Sequence, residues 1–518
     1  MYKRFSLIVG SLFIILAAGA QTRLPDEIAY RIKGEAFSNS KVEEMSQWLT
    51  DFLGPRLTAS KNGFRAEELM QEKMTQMGLS NARREFAIKF ARGGWNNEKT
   101  YIAMTKPYYC SFTSSPVAWS GGTNGLVEGD VVLLNVKTEK DIDSYRGKLS
   151  GKIVLMPGDT SYTIRFEPLA ARLTDEQLEE LAQDPRGDGA NNMYRMRPPG
   201  MDMGLREKLN QLLKDEKPLA VLNSSGTFNV PMSRGLAYNA GDPYPTPEIN
   251  LPLEDHGRMI RLLTHNTPVR MELDIKNVFY PTDTLVNNVI AEIPGTDPKL
   301  KSEIVMIGAH FDSWHGGTGG ADNGSGCIVM LEAMRIIKEL GIQPKRTIRI
   351  ALWGGEEQGL FGSRGYAANN LYDIKSGTKL AGFDKFVLYL NMDNGSGRFR
   401  GIYLEENDMA VPFFKTWMVP FESLGFKVLS LRRTGSTDHV SFNMLGLPAY
   451  QFIQDRLEYG RTYHTLMDTY ERLSFDDLRV NAALVAWFAL NAAQDNARIP
   501  YKPDALDKLM SNIPAYMR

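Results

Sequence analysis

Several side chains in this sequence belong to the types that hard and borderline metal ions take, and each falls just past an apolar run. The run EIVMIGA ends in His310, with Asp312 two residues on, and the glycine-rich stretch GGTGGADNGSG carries Asp322. TIRIALW leads to Glu356 and Glu357, KFVLYLNM leads to Asp393, and RTYHTLMDT, beyond PAYQFI, carries His464. Any one of these alone is more often a cap or a hydrogen-bond partner. Recurring in order, however, they describe a single centre, because Asp and Glu are seldom buried unless paired or coordinated. Imidazoles and carboxylates without a thiolate suit zinc in a catalytic site rather than a structural one. The adjacent acids Glu356 and Glu357 sharpen the point. Two solvated acids at a helix N-terminus are the plain alternative for them.

The apolar runs explain how such residues could converge. EIVMIGAH, TIRIALW, KFVLYLNM and PAYQFI read as strands buried on both faces, and GCIVMLEAMRIIKEL reads as a helix between two of them. The expected fold class is α/β: a three-layer, mostly parallel-core sheet with helices on both faces. Ligands of open α/β sheets gather beyond the carboxyl ends of the strands, where the candidate residues lie. The segment SKVEEMSQWLTDFLGPRLTASKNGFRAEELMQEKMTQMGL predicts two helices broken at Gly54-Pro55, and LSFDDLRVNAALVAWFALNAAQ predicts a long closing amphipathic helix. Short β-rich runs such as LVEGDVVLLNV and GKIVLMPGD fill the stretch between, interrupted by a polar insert, and predict a mostly β domain spliced into the parent. The division expected is 1–20 signal peptide, 22–105 and 281–518 parent domain, and 106–280 inserted domain.

The blocks GAHFDSW, ADNGSG, WGGEEQGLFGS, NMDN, STDHVSFNMLGLPAY and YHTLMDT together resemble the signature blocks of the M28 zinc peptidases, in order. The inserted domain resembles the protease-associated (PA) domain of secreted branches, including plasma glutamate carboxypeptidase-like members. The resemblance implies the zinc-dependent exopeptidase fold and two zinc ions per chain. His310 and Asp393 would hold one, Glu357 and His464 the other, and Asp322 would bridge them. Glu356 would be the general base acting on a water between the metals, and Asp312 would orient the His310 imidazole. Asp438, in STDHVSF, would support the site by hydrogen bonds, and the bond Asp322-Asn323 would be cis. Adjacent side chains leave a backbone in different directions, so Glu357 can turn to metal while Glu356 faces water.

Composition narrows the rest. The chain has 518 residues, 43% hydrophobic and 23% charged, with a formal net charge of -1. That balance gives no footprint for nucleic acid or an anionic membrane. Lys3 and Arg4, then SLIVGSLFIILAA and Ala18-Gly19-Ala20, read as a secretory signal cleaved near Gln21, predicting a periplasmic or extracellular protein without a transmembrane segment in its mature chain. The only cysteines are Cys110 and Cys327, so no disulfide framework is expected. His439 is expected to be structural and His315 to line the cleft, while His256 and His265 are expected at the surface. No G-x-S-x-G elbow supports serine chemistry.

The leading expectation is an exported di-zinc exopeptidase acting on peptides through their free α-amino group. A carboxypeptidase or dipeptidase of the glutamate carboxypeptidase-like branch would want cations for the substrate carboxylate. GLPAYQFIQD supplies none before Arg456. A one-zinc glutaminyl cyclase and a catalytically inactive receptor-like binding protein are the other readings. The inserted domain is expected to bear on substrate selection more than on metal content, and the oligomeric state, a homodimer included, is left open.

Overall fold

The computed structural model describes residues 23–158, 162, 164, 166–183 and 203–512. The expected signal segment 1–20, its cleavage point near Gln21 and much of the polar insert lie outside these residues.

The parent domain is built on an eight-stranded sheet whose centre is parallel. Thr347–Trp353, Ile304–His310, Phe386–Asn391 and Ala449–Gln454 run side by side in that order and in the same direction. Nearly every residue of these strands is buried, which is why they read as unbroken apolar runs rather than alternating ones. Antiparallel neighbours flank the centre: Leu285–Ile293 and Ser80–Lys89 on one side, Phe399–Tyr403 on the other, with Val428–Ser430 at the far edge.

Helices cover both faces. Ser325–Glu339 and Phe475–Gln494 pack on one, and the core there also takes in Asp26–Ser38 and Lys61–Gln76. Phe361–Asn370 and Val440–Asn443 contribute Tyr366, Ala367 and Phe442 to the other. The closing helix differs from the amphipathic expectation, for it is buried along nearly its whole length after Asp476. The reason is its place between the sheet and Asp26–Ser38, which leaves no turn facing water. The Gly54-Pro55 break is present, between Trp48–Leu53 and Lys61–Gln76. Among the described residues no helix is long and apolar enough to cross a membrane.

A second eight-stranded sheet organises the inserted part. Its spine is the long antiparallel pair Gly94–Lys106 and Arg270–Tyr280, aligned from Gly94 opposite Tyr280 to Lys106 opposite Arg270. The chain enters and leaves by this pair. Gly94–Lys106, expected within the parent domain up to 105, is thus a strand of this second sheet. Val127–Leu133, Ile153–Leu155, Ala220–Ser224 and Glu248–Leu251 form its parallel part, accompanied by the helix Leu253–Thr264. His256 on that helix is fully buried, contrary to the surface position expected, and its Nε2 lies 2.9 Å from the Met156 carbonyl. A hydrogen bond across the domain core explains the burial. His265 is exposed as expected.

Candidate metal centre

The parallel strands stop at one edge of the sheet, and the candidate residues project from it. Ile304–His310 ends in His310 itself; Thr347–Trp353 is followed by a Gly354-Gly355 turn and then Glu356 and Glu357; Phe386–Asn391 is followed by Asp393. Asp322 stands on the turn into Ser325–Glu339, where the Asp322-Asn323 peptide is cis. Gly326 keeps that turn tight: a Cβ there would lie 2.5 Å from Asn323 Oδ1 and 2.8 Å from the Met392 carbonyl. The glycine-rich loop is thus close-packed backbone around the centre.

Two ligand-like groups result. His310, Glu356 and Asp393 present donor atoms within 4.8 Å of one another, and so do Asp322, Glu357 and His464. Asp322 joins them, with Oδ1 3.4 Å from His310 Nε2 and Oδ2 3.4 Å from His464 Nε2. His310 Nε2 is 3.7 Å from Asp393 Oδ2 and 3.9 Å from Glu356 Oε2, while His464 Nε2 is 2.9 Å from Glu357 Oε2. All the sequence-selected ligand candidates and Glu356 therefore meet in one place.

A metal fits this donor set. His310 Nε2, Asp322 Oδ2 and Glu357 Oε1 are buried without a hydrogen-bond partner among the described residues, a costly state for groups that could bind a cation. The carboxylates also crowd one another. Burial and the neighbouring Asp322 push Glu357 up to about 7, and burial followed by Asp393 and Asp438 pushes Glu356 well above the ordinary carboxyl range against the pull of His310. Burial opposes the charged form of His310, yet Glu356, Asp322 and Asp393 together raise it well above an ordinary imidazole. A site this rich in negative charge is balanced by divalent cations.

The surroundings fix the donors. His310 Nδ1 donates to the main-chain carbonyl of Asp312 at 3.0 Å, which leaves Nε2 free to face the centre. The Asp312 carboxylate, expected to orient the imidazole, stands 3.7 Å from Nδ1 and instead accepts the N–H groups of Glu356 and Glu357. Asp438 is buried nearby, and burial pushes it up to about 7 against the pull of His310 and of a hydrogen bond from Ser363. His439 is buried, with Nε2 3.3 Å from Glu405 Oε1, and takes no place in the centre. His315 turns Nε2 to the Pro116 carbonyl at 2.7 Å and joins the two domains instead of lining the cleft.

Sequence reasoning passed over four neighbours. The Asp468 carboxylate accepts the N–H groups of Ala321 at 2.5 Å and Asp322 at 3.0 Å, fixing the backbone of Asp322. Trp314 Nε1 donates to Glu357 Oε2 at 2.8 Å. Both lie inside the quoted blocks YHTLMDT and GAHFDSW, so position in a block was a signal within reach. Arg56, fully buried, donates to the carbonyls of Phe311, Thr318 and Gly319 at 2.7 to 2.8 Å and so ties the N-terminal segment to the loop that carries Asp322. Tyr463 stacks on the His464 ring with centroids 3.7 Å apart. Tyr463 also lies in YHTLMDT, whereas no spacing rule announces the Arg56 contacts.

A parallel-centred α/β sheet that gathers imidazoles and carboxylates at its carboxyl edge, around buried unpartnered donor atoms, defines a metallo-exopeptidase, a hydrolase. Residues 288–489 match the family model "Peptidase family M28". That match spans the strands and loops that carry His310, Asp322, Glu356, Glu357, Asp393 and His464. Carboxypeptidase Q of Mus musculus is 26% identical over 457 residues, 87% of this chain and 85% of its own. Aminopeptidase YwaD of Bacillus subtilis (strain 168) is 30% identical over 212 residues, 40% of this chain and 44% of its own. Among solved structures, a peptidase M28 precursor from Shewanella amazonensis SB2B matches with TM-score 0.66 at 23% identity, covering 92% of this chain and 98% of its own. BSAP, a zinc aminopeptidase from Bacillus subtilis, matches with TM-score 0.55 at 20% identity, covering 90% and 99%.

Proposed function

We propose that the protein is an exported zinc exopeptidase that removes residues from the amino-terminal end of peptides. His310 and Asp393 would hold one zinc, Glu357 and His464 a second, with Asp322 shared. The shared position of Asp322 between the two imidazoles carries this reading. When bound, the metals supply Lewis acidity toward the scissile carbonyl and lower the pKa of water.

The remaining work falls to the chain. Glu356 is held through its backbone by Asp312 while its carboxylate is left without a fixed partner of opposite charge apart from His310. That carboxylate takes a proton from the attacking water and returns it to the leaving amine nitrogen. Trp314 donates to Glu357 Oε2, the oxygen 2.9 Å from His464 Nε2, and so fixes that carboxylate beside the imidazole. The cavity beside the centre is lined by Trp314, Asp322, Glu357, His464, Thr465 and Asp468, with no lysine or arginine. Its acids Asp322 and Glu357 are those that would hold the second zinc, and it offers no cation to a substrate carboxylate.

One observation favours cleavage from the other end. Half-buried Arg92 makes no ion pair among the described residues and lies over the Trp119 ring, 4.9 Å from its centroid. It lines a cavity of about 340 Å³ with Phe90, Tyr238 and Phe361. A guanidinium there suits the carboxylate of a carboxypeptidase or dipeptidase substrate. The deciding experiment compares aminoacyl-coumarins with N-blocked dipeptides, with and without chelator. Chelator-sensitive release from the free-amine substrates alone supports the first reading. Activity only on N-blocked dipeptides replaces it with the second, and chelator-resistant activity removes the metal from both.

A further inference from the structure

The inserted domain reaches into the metal centre by its backbone. Ser233, on the strap between Ala220–Ser224 and Glu248–Leu251, donates its main-chain N–H to the carbonyl of His464 at 2.7 Å. Met232 and Thr465 form an isolated antiparallel bridge beside it. His464 itself has φ of 58°, a left-handed conformation uncommon outside glycine. The strap is seated in turn. Ser233 Oγ lies 3.0 Å from Ser115 Oγ of the same domain, and a Cβ on Gly316 would fall 2.2 Å from Ser233 Oγ. His315, next to Gly316, is bonded to the Pro116 carbonyl.

We infer that Ser233 is a positioning residue for the metal centre: its main-chain N–H holds the His464 backbone in the left-handed turn that aims the imidazole at Asp322 and Glu357. The inference rests on the zinc reading above. It departs from the expectation that the inserted domain governs substrate choice more than metal content, because a ligand would lose its backbone support when the strap moves.

Gly316 makes the inference testable without touching a ligand. In Gly316→Ala the new methyl collides with Ser233 Oγ and displaces the strap. In the double variant Gly316→Ala/Ser233→Ala that oxygen is gone and Ser233 Cβ is 3.5 Å from the new methyl. That leaves only Leu466 Cδ2 at 3.0 Å, the far end of a flexible side chain that must yield a few tenths of an ångström in both variants. Zinc affinity of full-length apoprotein, read by competition with a chromophoric chelator, should fall about 10–100-fold for one zinc in Gly316→Ala, the range typical when a ligand loses its outer support. The double variant should recover most of that loss, and thermal unfolding of each apoprotein reports whether the fold is intact. Wild-type zinc affinity in Gly316→Ala, or no recovery in the double variant, overturns the inference. A wild-type protein that takes up no zinc overturns the metal reading itself.

Discussion

Asp312 holds Glu356 by its backbone: Oδ1 accepts the Glu356 N–H at 3.0 Å, and Oδ2 accepts the Glu357 N–H at 3.2 Å and the Thr58 hydroxyl at 3.2 Å. One buried carboxylate thus fixes the residue proposed as base and the residue proposed as ligand, while its own carbonyl fixes the His310 tautomer. Two adjacent acids can keep separate tasks because the two successive peptides that carry their N–H groups are both clamped. Rotation of one side chain then leaves the other undisturbed.

That arrangement predicts a double loss. Asp312→Ala should lower kcat and weaken zinc binding, each by about 10–100-fold, since both acids lose their anchor. Asp312→Asn, which keeps one oxygen acceptor, should lose less. Steady-state kinetics at saturating zinc, with metal analysis of the dialysed protein, checks this. An alanine variant equal to wild type in both would mean that the Gly354-Gly355 turn alone sets the geometry.

Glu356→Gln should separate chemistry from metal binding. The amide keeps the size and loses the proton-accepting oxygen, so kcat should fall by about 10²–10⁴-fold while zinc content stays at the wild-type level. Loss of metal together with activity would instead make Glu356 a ligand.

Much of this site was legible in the sequence because strand-end residues of a parallel sheet are forced to one edge. His310, Glu356, Glu357 and Asp393 each follow an apolar strand run directly, so their convergence was readable once the strands were. Asp322 and His464 sit on loops after the strand runs, so they were readable as candidates, and only their separate roles came from the ordered blocks of the family. Arg56 and Ser233 were not legible. They act from separations of 255 residues or more for Arg56 with Phe311, and across a domain boundary for Ser233, and neither leaves a local pattern. The place of Gly94–Lys106 in the second sheet was not legible for a related reason: the strand alternates weakly, and only its pairing with Arg270–Tyr280 assigns it.

Asp322→Ala tests the shared ligand. On the proposed reading a single carboxylate facing both imidazoles would serve two ions, so its removal should lose zinc from both positions, and zinc per chain should drop well below that of Glu356→Gln. A variant that keeps one tightly bound zinc would assign Asp322 to one ion only.

Glu67 gives a prediction away from the metal. Its side chain, 4% exposed on the helix Lys61–Gln76, accepts from Asn287 Nδ2 at 2.9 Å, and burial raises it to about 7 despite that hydrogen bond. In the unfolded chain an ordinary glutamate titrates near 4.3. Between these values the folded protein binds the extra proton, so stability falls as pH rises from about 4 to about 7 and the full penalty is present above 7. Glu67→Gln keeps the acceptor for Asn287 and carries no charge to bury. It should therefore be more stable than wild type at pH 8, on the order of 2–3 kcal/mol, and nearly equal to it at pH 4.5. Chemical denaturation of the zinc-loaded protein at both pH values measures the difference. A variant that is less stable at pH 8 would show that Glu67 is ionised and paired in the folded state, with Arg84 of the neighbouring strand the nearest cation acting on it.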